Sequence, residues 1–186
     1  MPAEGLMAYN SSLNKPVFYN GTKWKLYNDV DMEIKVGDAY GGGIVAYVDE
    51  TKIHGIIAAT ANVTSPSPGT YAWGCSGTAV LTSTAIGSGQ ANTNAILAAC
   101  SGTNTAAYVC NFYVANGYND WYLPSRDEAA KMCLVSNKLS LTAGNYATSS
   151  QGLTPSVIHY FVGSPCTPQI NGTKTELMYV RAVRSF

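Results

Sequence analysis

Asn116-Gly-Tyr-Asn-Asp-Trp-Tyr-Leu-Pro-Ser-Arg-Asp-Glu128 is the stretch on which the fold turns. A residue before proline is pushed out of the helical region, so Trp121-Tyr-Leu-Pro124 reads as an extended connector. Ser125 is a favoured N-cap and Glu128 follows three residues later, the spacing of a capping box. A helix therefore starts at residue 126, and its pattern runs to about Lys138. Before the connector, Ala106, Val109, Cys110, Tyr113 and Val114 recur at helical spacing, so a helix is expected over Thr103 to Asn116, closed by Gly117. Ala91 to Cys100 precedes it as another helix, with Ala95, Ile96 and Ala99 on one face.

Strands lie outside this helical middle. Gly41-Gly-Gly43 marks a bend or bulge into the strand Ile44–Val48. Asp49 to His54 is a turn, and Gly55–Ala59 is the returning strand. After Leu141 the chain returns to short strands and loops. It ends in Met178–Arg184, an alternating strand expected to be central and able to pair with the first strand of the chain. Residues 60 to 90 are rich in Ser, Thr, Gly and Pro. A connection this long is either functional or locked by its own packing. Strands, then helices, then strands make an α+β fold with an antiparallel sheet and two or three helices.

The N-terminal part reads as a separate small β unit. Gly5–Tyr9, Val17–Tyr19 and Lys23–Tyr27 are strand-like, and Asn20-Gly21 is a strong hairpin turn. A polar linker with Asp29, Asp31 and Glu33 follows. Residues 1–35 form this unit and linker, and residues 36–186 form the main domain. So small a unit needs the main domain or copies of itself to lean on.

Composition narrows the partners. Charged residues make up 12% of the 186 residues, about half the usual share. Ser, Thr, Asn, 18 Gly and 13 Tyr must cover the surface instead. Tyr-rich uncharged surfaces suit adaptable binding faces. Eleven basic and eleven acidic residues balance, with no basic run, which argues against nucleic acid. No apolar run is long enough to insert in a membrane. The N-terminus lacks the features of a signal peptide. The five Cys are odd in number, so at least one is free or pairs outside the chain. Cys75 with Cys100 is the candidate disulfide, and Cys133, inside a helical pattern, reads as a small buried apolar residue.

Chemistry-bearing motifs are sparse. No C-x-x-C pair suggests zinc. The Gly41–Gly43 run precedes a strand, the wrong order for a phosphate loop. No nucleophile elbow or His–acid pair is apparent, so no catalytic residues, metal or cofactor are expected. Asn119-Asp120-Trp121 reverses the order of the sugar-binding calcium motif, so Asp120 is read as bracing its loop and Trp121 as core. His54 is read as a turn residue. Arg181 and Arg184 fall on opposite faces of the last strand. One is expected to pair with an acid such as Asp127 or Glu128. Lys138 and Lys174 are the better candidates for anion contacts.

Taken in order, Gly41–Val48, Gly55–Ala59, Ala72-Trp-Gly-Cys75, Thr84–Thr93, Asn116–Glu128, Tyr146-Ala-Thr-Ser-Ser150 and Tyr179–Arg184 resemble the C-terminal domain family of the Legionella collagen-like adhesin. The resemblance covers about residues 36–186. It implies a C-type-lectin-like fold that works without calcium, on bacterial surface proteins and phage fibres. Some members bind sulfated glycans, and some are trimeric. Relatives with this fold are the variable proteins of diversity-generating retroelements, whose C-terminal third carries the ligand face. Asn10 and Asn14–Trp24, with Gly5–Tyr9, also look like β segments ahead of phage fibre tips. Two departures are that Tyr146-Ala-Thr replaces the usual Tyr-Trp-Ser, and that Ser164–Thr173 is Pro-rich.

The expectation is a receptor-binding module on a virion or bacterial surface, or secreted. It would recognise a glycan or protein receptor through a loop-rich C-terminal face at about 146–179, and assemble with other virion or surface-protein subunits as a homotrimer. The residues expected to bind are Asn145, Tyr146, Ser149, His159, Tyr160, Gln169, Asn171, Lys174 and Tyr179. His159, Tyr160 and Phe161 could form a solvent-facing aromatic cluster, or alternate members could pack inward. The other expectation is a structural virion or coat protein whose partners are other virion subunits.

Overall fold

The computed structural model describes residues 1–12, 15–26, 34–66, 68–153, 156–163 and 165–186. Tyr27 and the linker acids Asp29, Asp31 and Glu33 lie outside these residues, as does Ser164. The chain divides into Met1–Glu33 and Ile34–Phe186, close to the expected boundary.

The N-terminal unit is a three-stranded antiparallel sheet of β1 (Met7–Asn10), β2 (Lys15–Tyr19) and β3 (Trp24–Leu26), in that order. The Asn20-Gly21 turn forms as the sequence suggests. Asn20 Oδ1 accepts the amides of Thr22 and Lys23 at 3.1 and 2.9 Å, and Gly21 takes a φ of 87°. Val17 and Tyr19 are buried, whereas Leu6, Met7, Tyr9 and Trp24 are exposed. The first strand pairs with β2.

The second unit has the expected α+β architecture, with antiparallel sheets. One sheet has the order β10-β6-β5-β4, from Val183–Ser185, Gly55–Ala59, Gly43–Val48 and Ala39–Tyr40. Gly41 and Gly42 take φ of 53° and 84° to turn β4 into β5. A second sheet is the meander β7 (Gly144–Gln151), β8 (Ser156–Val162) and β9 (Thr167–Thr173). The last strand differs from expectation. It is only Val183–Ser185 and ends the sheet, with Tyr122 bridging its other side. Met178 and Tyr179 instead make single bridges to Tyr71 and Tyr146.

Among the described residues four helices form: α1 (Gly89–Ala99), α2 (Ala106–Asn111), α3 (Arg126–Leu134) and the single turn α4 (Ser136–Leu139). The capping box is present. Ser125 Oγ accepts Glu128 N at 3.3 Å and Glu128 Oε2 accepts Ser125 N at 2.8 Å. The expected run to Lys138 breaks at Val135, where the ladder tightens and Val135 N bonds Met132 O at 3.1 Å. α2 is also shorter than its apolar spacing implied. Asn116 and Gly117 have φ of 52° and 83°, and Ala115 and Tyr118 exchange both backbone bonds at 3.0 Å. Two positive φ values in succession are the signature of a two-residue hairpin turn, so Asn-Gly here makes a turn rather than a helix end.

The core is built around Tyr71, Trp73, Trp121, Ile57, Ile96 and Leu123. A smaller cluster of Ala46, Ile56, Tyr122, Met132, Val135 and Leu139 seats α3 and α4 on β5 and β6. The long segment after β6 is locked by its own bonds. Tyr71 exchanges backbone bonds with Met178, Trp73 Nε1 donates to Thr148 O at 2.9 Å, and Ser83 N bonds Asn92 Oδ1 at 2.8 Å. Trp121 is core, as expected. Asp120 braces its loop by a bidentate pair with Arg184, both contacts at 2.7 Å. Arg184 therefore does not pair with Asp127 or Glu128.

Cys75 and Cys100 form a disulfide, as expected, with Cα atoms 5.1 Å apart. Cys133 does not behave as a lone apolar residue. It is half-buried near the end of α3 and bonds Cys166 in the β8–β9 connection. The odd cysteine is Cys110, buried in the core, where burial pushes its thiol pKa up.

Candidate functional site

The expected C-terminal face is largely strand rather than loop, because Gly144–Gln151, Ser156–Val162 and Thr167–Thr173 form the β7-β8-β9 meander. β7 and β8 are buried on both faces over residues 146–150 and 157–160, whereas β9, at the margin of the sheet, is exposed over residues 168–171.

Tyr146 and Ser149 are turned inward. Tyr146 Oη accepts from Thr142 N at 3.0 Å and Asn62 Nδ2 at 3.1 Å. Ser149 Oγ accepts from Asn92 Nδ2 at 3.1 Å, and its amide donates to Pro124 O at 2.7 Å. His159 and Tyr160 are buried too, so of the expected aromatic cluster only Phe161, 41% exposed, faces solvent. Burial raises the Tyr160 pKa.

His159 rests on Gly172 of the neighbouring strand, where any side chain would collide with its ring. Its Nδ1 is buried without a hydrogen-bond partner. Burial lowers the imidazole pKa, and the charge of Glu176 opposes that shift.

Lys174 is the largest departure from expectation. Lysine is almost never fully buried, and an anion contact needs its ammonium outside. Here the residue is 3% exposed. Nζ donates to Gln151 Oε1 at 2.8 Å and to Thr78 O, and sits 4.3 Å from the centre of the Trp73 ring. Burial lowers its pKa. Lys138 is likewise engaged, donating to Gly37 O at 3.0 Å.

The accessible members of the expected set are Asn145, Gln169, Asn171 and Tyr179. Asn145 and Tyr179 are half-buried, and Gln169 and Asn171 are exposed. Asn145 Nδ2 donates to Glu176 Oε1 at 2.8 Å. Gln169 Nε2 donates to Thr167 Oγ1 at 3.2 Å.

The structure adds residues that the sequence reading did not select. Ser76, Ser156, Thr173 and Thr175 join Asn171, Gly172 and Lys174 around a cleft of about 240 Å³. The Thr173 and Thr175 hydroxyls are 3.3 Å apart. Thr173 and Thr175 flank Lys174, which is turned inward by Thr78 and Gln151, partners 96 and 23 residues away that the local sequence does not reveal. Two further clefts lie at the Gly41–Gly43 turn and beside Tyr47, His54 and Phe186. Among the described residues, no three His, Cys, Asp or Glu side chains gather as a metal-ligating group. No helix among them is long and apolar enough to cross a membrane.

Neither a scan against protein-family models nor a search of curated proteins finds a match for the chain.

Proposed function

We propose that the chain is a non-enzymatic recognition module whose binding face is the outer surface of β8 and β9 with its adjoining cleft. The observation that carries this reading is the margin strand Thr167–Thr173, whose side chains are exposed over Pro168–Asn171 on a densely bonded frame. A rigid scaffold that presents an uncharged polar strip is what selective surface contact needs. Phe161 adds an apolar anchor on the neighbouring strand.

The resemblance to the Legionella collagen-like adhesin domain family belongs to the same reading, with its C-type-lectin-like fold and calcium-independent binding. So does display on a phage fibre tip or bacterial surface, as a homotrimer with other surface subunits. The two disulfides favour an oxidising location.

The test is staining of a panel of bacterial and animal cells with fluorescently labelled protein. Phe161→Ala combined with Gln169→Ala should abolish staining, and Glu50→Ala, in the β5–β6 turn, should not. No staining of any cell, or staining indifferent to the double change, would overturn the reading.

One observation favours a second reading, a structural virion protein. β1 and its approach expose Leu6, Met7 and Tyr9 on a sheet with little core of its own. Co-sedimentation with virion components, set beside cell staining, tests it. Failure to associate with those components would remove this second reading.

A further inference from the structure

We propose that the cleft between the Ser76 turn and the end of β9 binds one uncharged sugar unit of a glycan, and does not bind sulfated or other anionic glycans. This rests on the recognition reading and names its ligand class.

Three observations carry the proposal. The first is the donor and acceptor set. Ser76, Thr173 and Thr175 supply hydroxyls, Asn171 supplies an amide, and Ser156, whose hydroxyl donates to Leu153 O, supplies an acceptor. That set offers both donors and acceptors, as a ligand made of hydroxyl groups requires. The paired hydroxyls of Thr173 and Thr175 are already within hydrogen-bond distance, as they would be when bridging adjacent ligand hydroxyls.

The second is charge. Among the described residues Lys174 is the one ionisable residue that lines the cleft, and its ammonium is committed to Gln151, Thr78 and the face of Trp73. An anionic group placed here would lose water and find no free ammonium N–H to replace it, which is costly. A neutral ligand suffers no such penalty.

The third is size and rigidity. About 240 Å³ is smaller than the roughly 300–1,000 Å³ of pockets that enclose a drug-sized ligand, so the cleft suits a single ring. Its walls are tied before binding. Ser76 follows Cys75, which is bonded to Cys100, and β9 is entered directly after Cys166, which is bonded to Cys133. Pre-ordered walls reduce the entropy lost on binding. Among the described residues no aromatic ring lines the cleft as a stacking platform, so a single site is expected to bind with a dissociation constant on the order of 1 mM or weaker. Useful avidity would then come from several copies acting together.

The experiment is an amide ¹H–¹⁵N correlation titration of the full chain. The probes are glucose, galactose, mannose, fucose, N-acetylglucosamine and N-acetylgalactosamine, with a heparin disaccharide for comparison. At least one neutral sugar should shift the amides of Ser76 and Asn171–Thr175 saturably, and the heparin disaccharide should leave them unmoved at low salt. Asn171→Ala and Thr173→Val should each weaken the neutral sugar at least tenfold while the rest of the spectrum stays in place. No response to any neutral sugar, or salt-sensitive binding of the heparin fragment at these amides, would overturn the proposal. If the cleft fails while cell staining still depends on Phe161 and Gln169, the ligand class falls and the recognition reading stands. If both fail, both fall.

Discussion

Acidification should destabilise the protein through His159, and a single substitution should remove the effect. The imidazole is 6% exposed, lies on Gly172, and has an unpartnered Nδ1. Burial lowers its folded-state pKa, and Glu176, whose Oε1 already accepts from Asn145 Nδ2, opposes that only in part. The sign follows from linkage. The unfolded chain takes up a proton near pH 6.5, the ordinary histidine value, while the folded chain stays neutral until its own lower pKa is reached. Stability is therefore fully present above about pH 6.5, falls as the pH drops, and levels off below the folded pKa. The slope in that window is at most about 1.4 kcal/mol per pH unit for one proton. His159→Phe keeps a planar ring and removes the unsatisfied nitrogen. At pH 7.5 it should match the parent within about 1 kcal/mol or exceed it. Urea unfolding of both proteins across pH 7.5 to 4.5 gives the difference curve, in which carboxylates common to both cancel. Glu128 is one of these. Burial raises its pKa, so its contribution runs the other way and is lost as pH rises through the folded pKa. Parallel curves for parent and variant would refute the assignment of a neutral, unpartnered imidazole.

Removing either disulfide should cost about 3.5 kcal/mol by chain entropy, given sequence separations of 25 and 33 residues, as read by urea unfolding of Cys75→Ser with Cys100→Ser, and of Cys133→Ser with Cys166→Ser. In the parent, Cys110 should alkylate only after denaturation, and rapid labelling under native conditions would contradict its burial. Ser125→Ala should cost about 2 kcal/mol, because it removes both the helix cap and a 2.8 Å bond to Ala85 O, and a loss under about 0.5 kcal/mol in thermal unfolding would show the cap to be replaceable.

What could be read without coordinates was local. Ser125 and Glu128 are three residues apart, and the geometry of one helical turn is enough to join them. Asn20-Gly21 and the glycines at 41–43 likewise declared their turns. Asn116-Gly117 carries the same turn chemistry, but the apolar spacing before it suits a helix that a Gly would also close, so local pattern alone does not separate the two. The binding face was legible only as a region. Whether Tyr146, Ser149, His159 or Lys174 points in or out depends on partners far away in the chain. Lys174 reaches across 96 residues to Thr78, and Tyr146 across 84 to Asn62. The Cys133–Cys166 pair was hidden for the same reason, since helical spacing around Cys133 says nothing of what the β8–β9 connection brings beside it.

The buried ions connect the fold to its surface. Charged groups are few, and several of them tie distant segments in the interior. Lys174 joins the residue 78 turn to β7, and Arg181 reaches Asn62 Oδ1 and Ala59 O at 2.9 and 2.7 Å. Glu128 accepts from Gly87 N and Ser125 N at 2.9 and 2.8 Å. Thr78 O, Gly87 N and Ser125 N lie outside the strands and helices, so at these points a long side chain supplies the hydrogen bond that the backbone would otherwise leave unmade. The same placement withdraws charge from the outer strip of β9 and from the cleft beside it. A neutral, hydroxyl-rich surface and a core laced with ions are thus two results of one distribution. A ligand that depended on charge would have little to hold on that face, whereas one that offers hydroxyls would find complementary partners already in position.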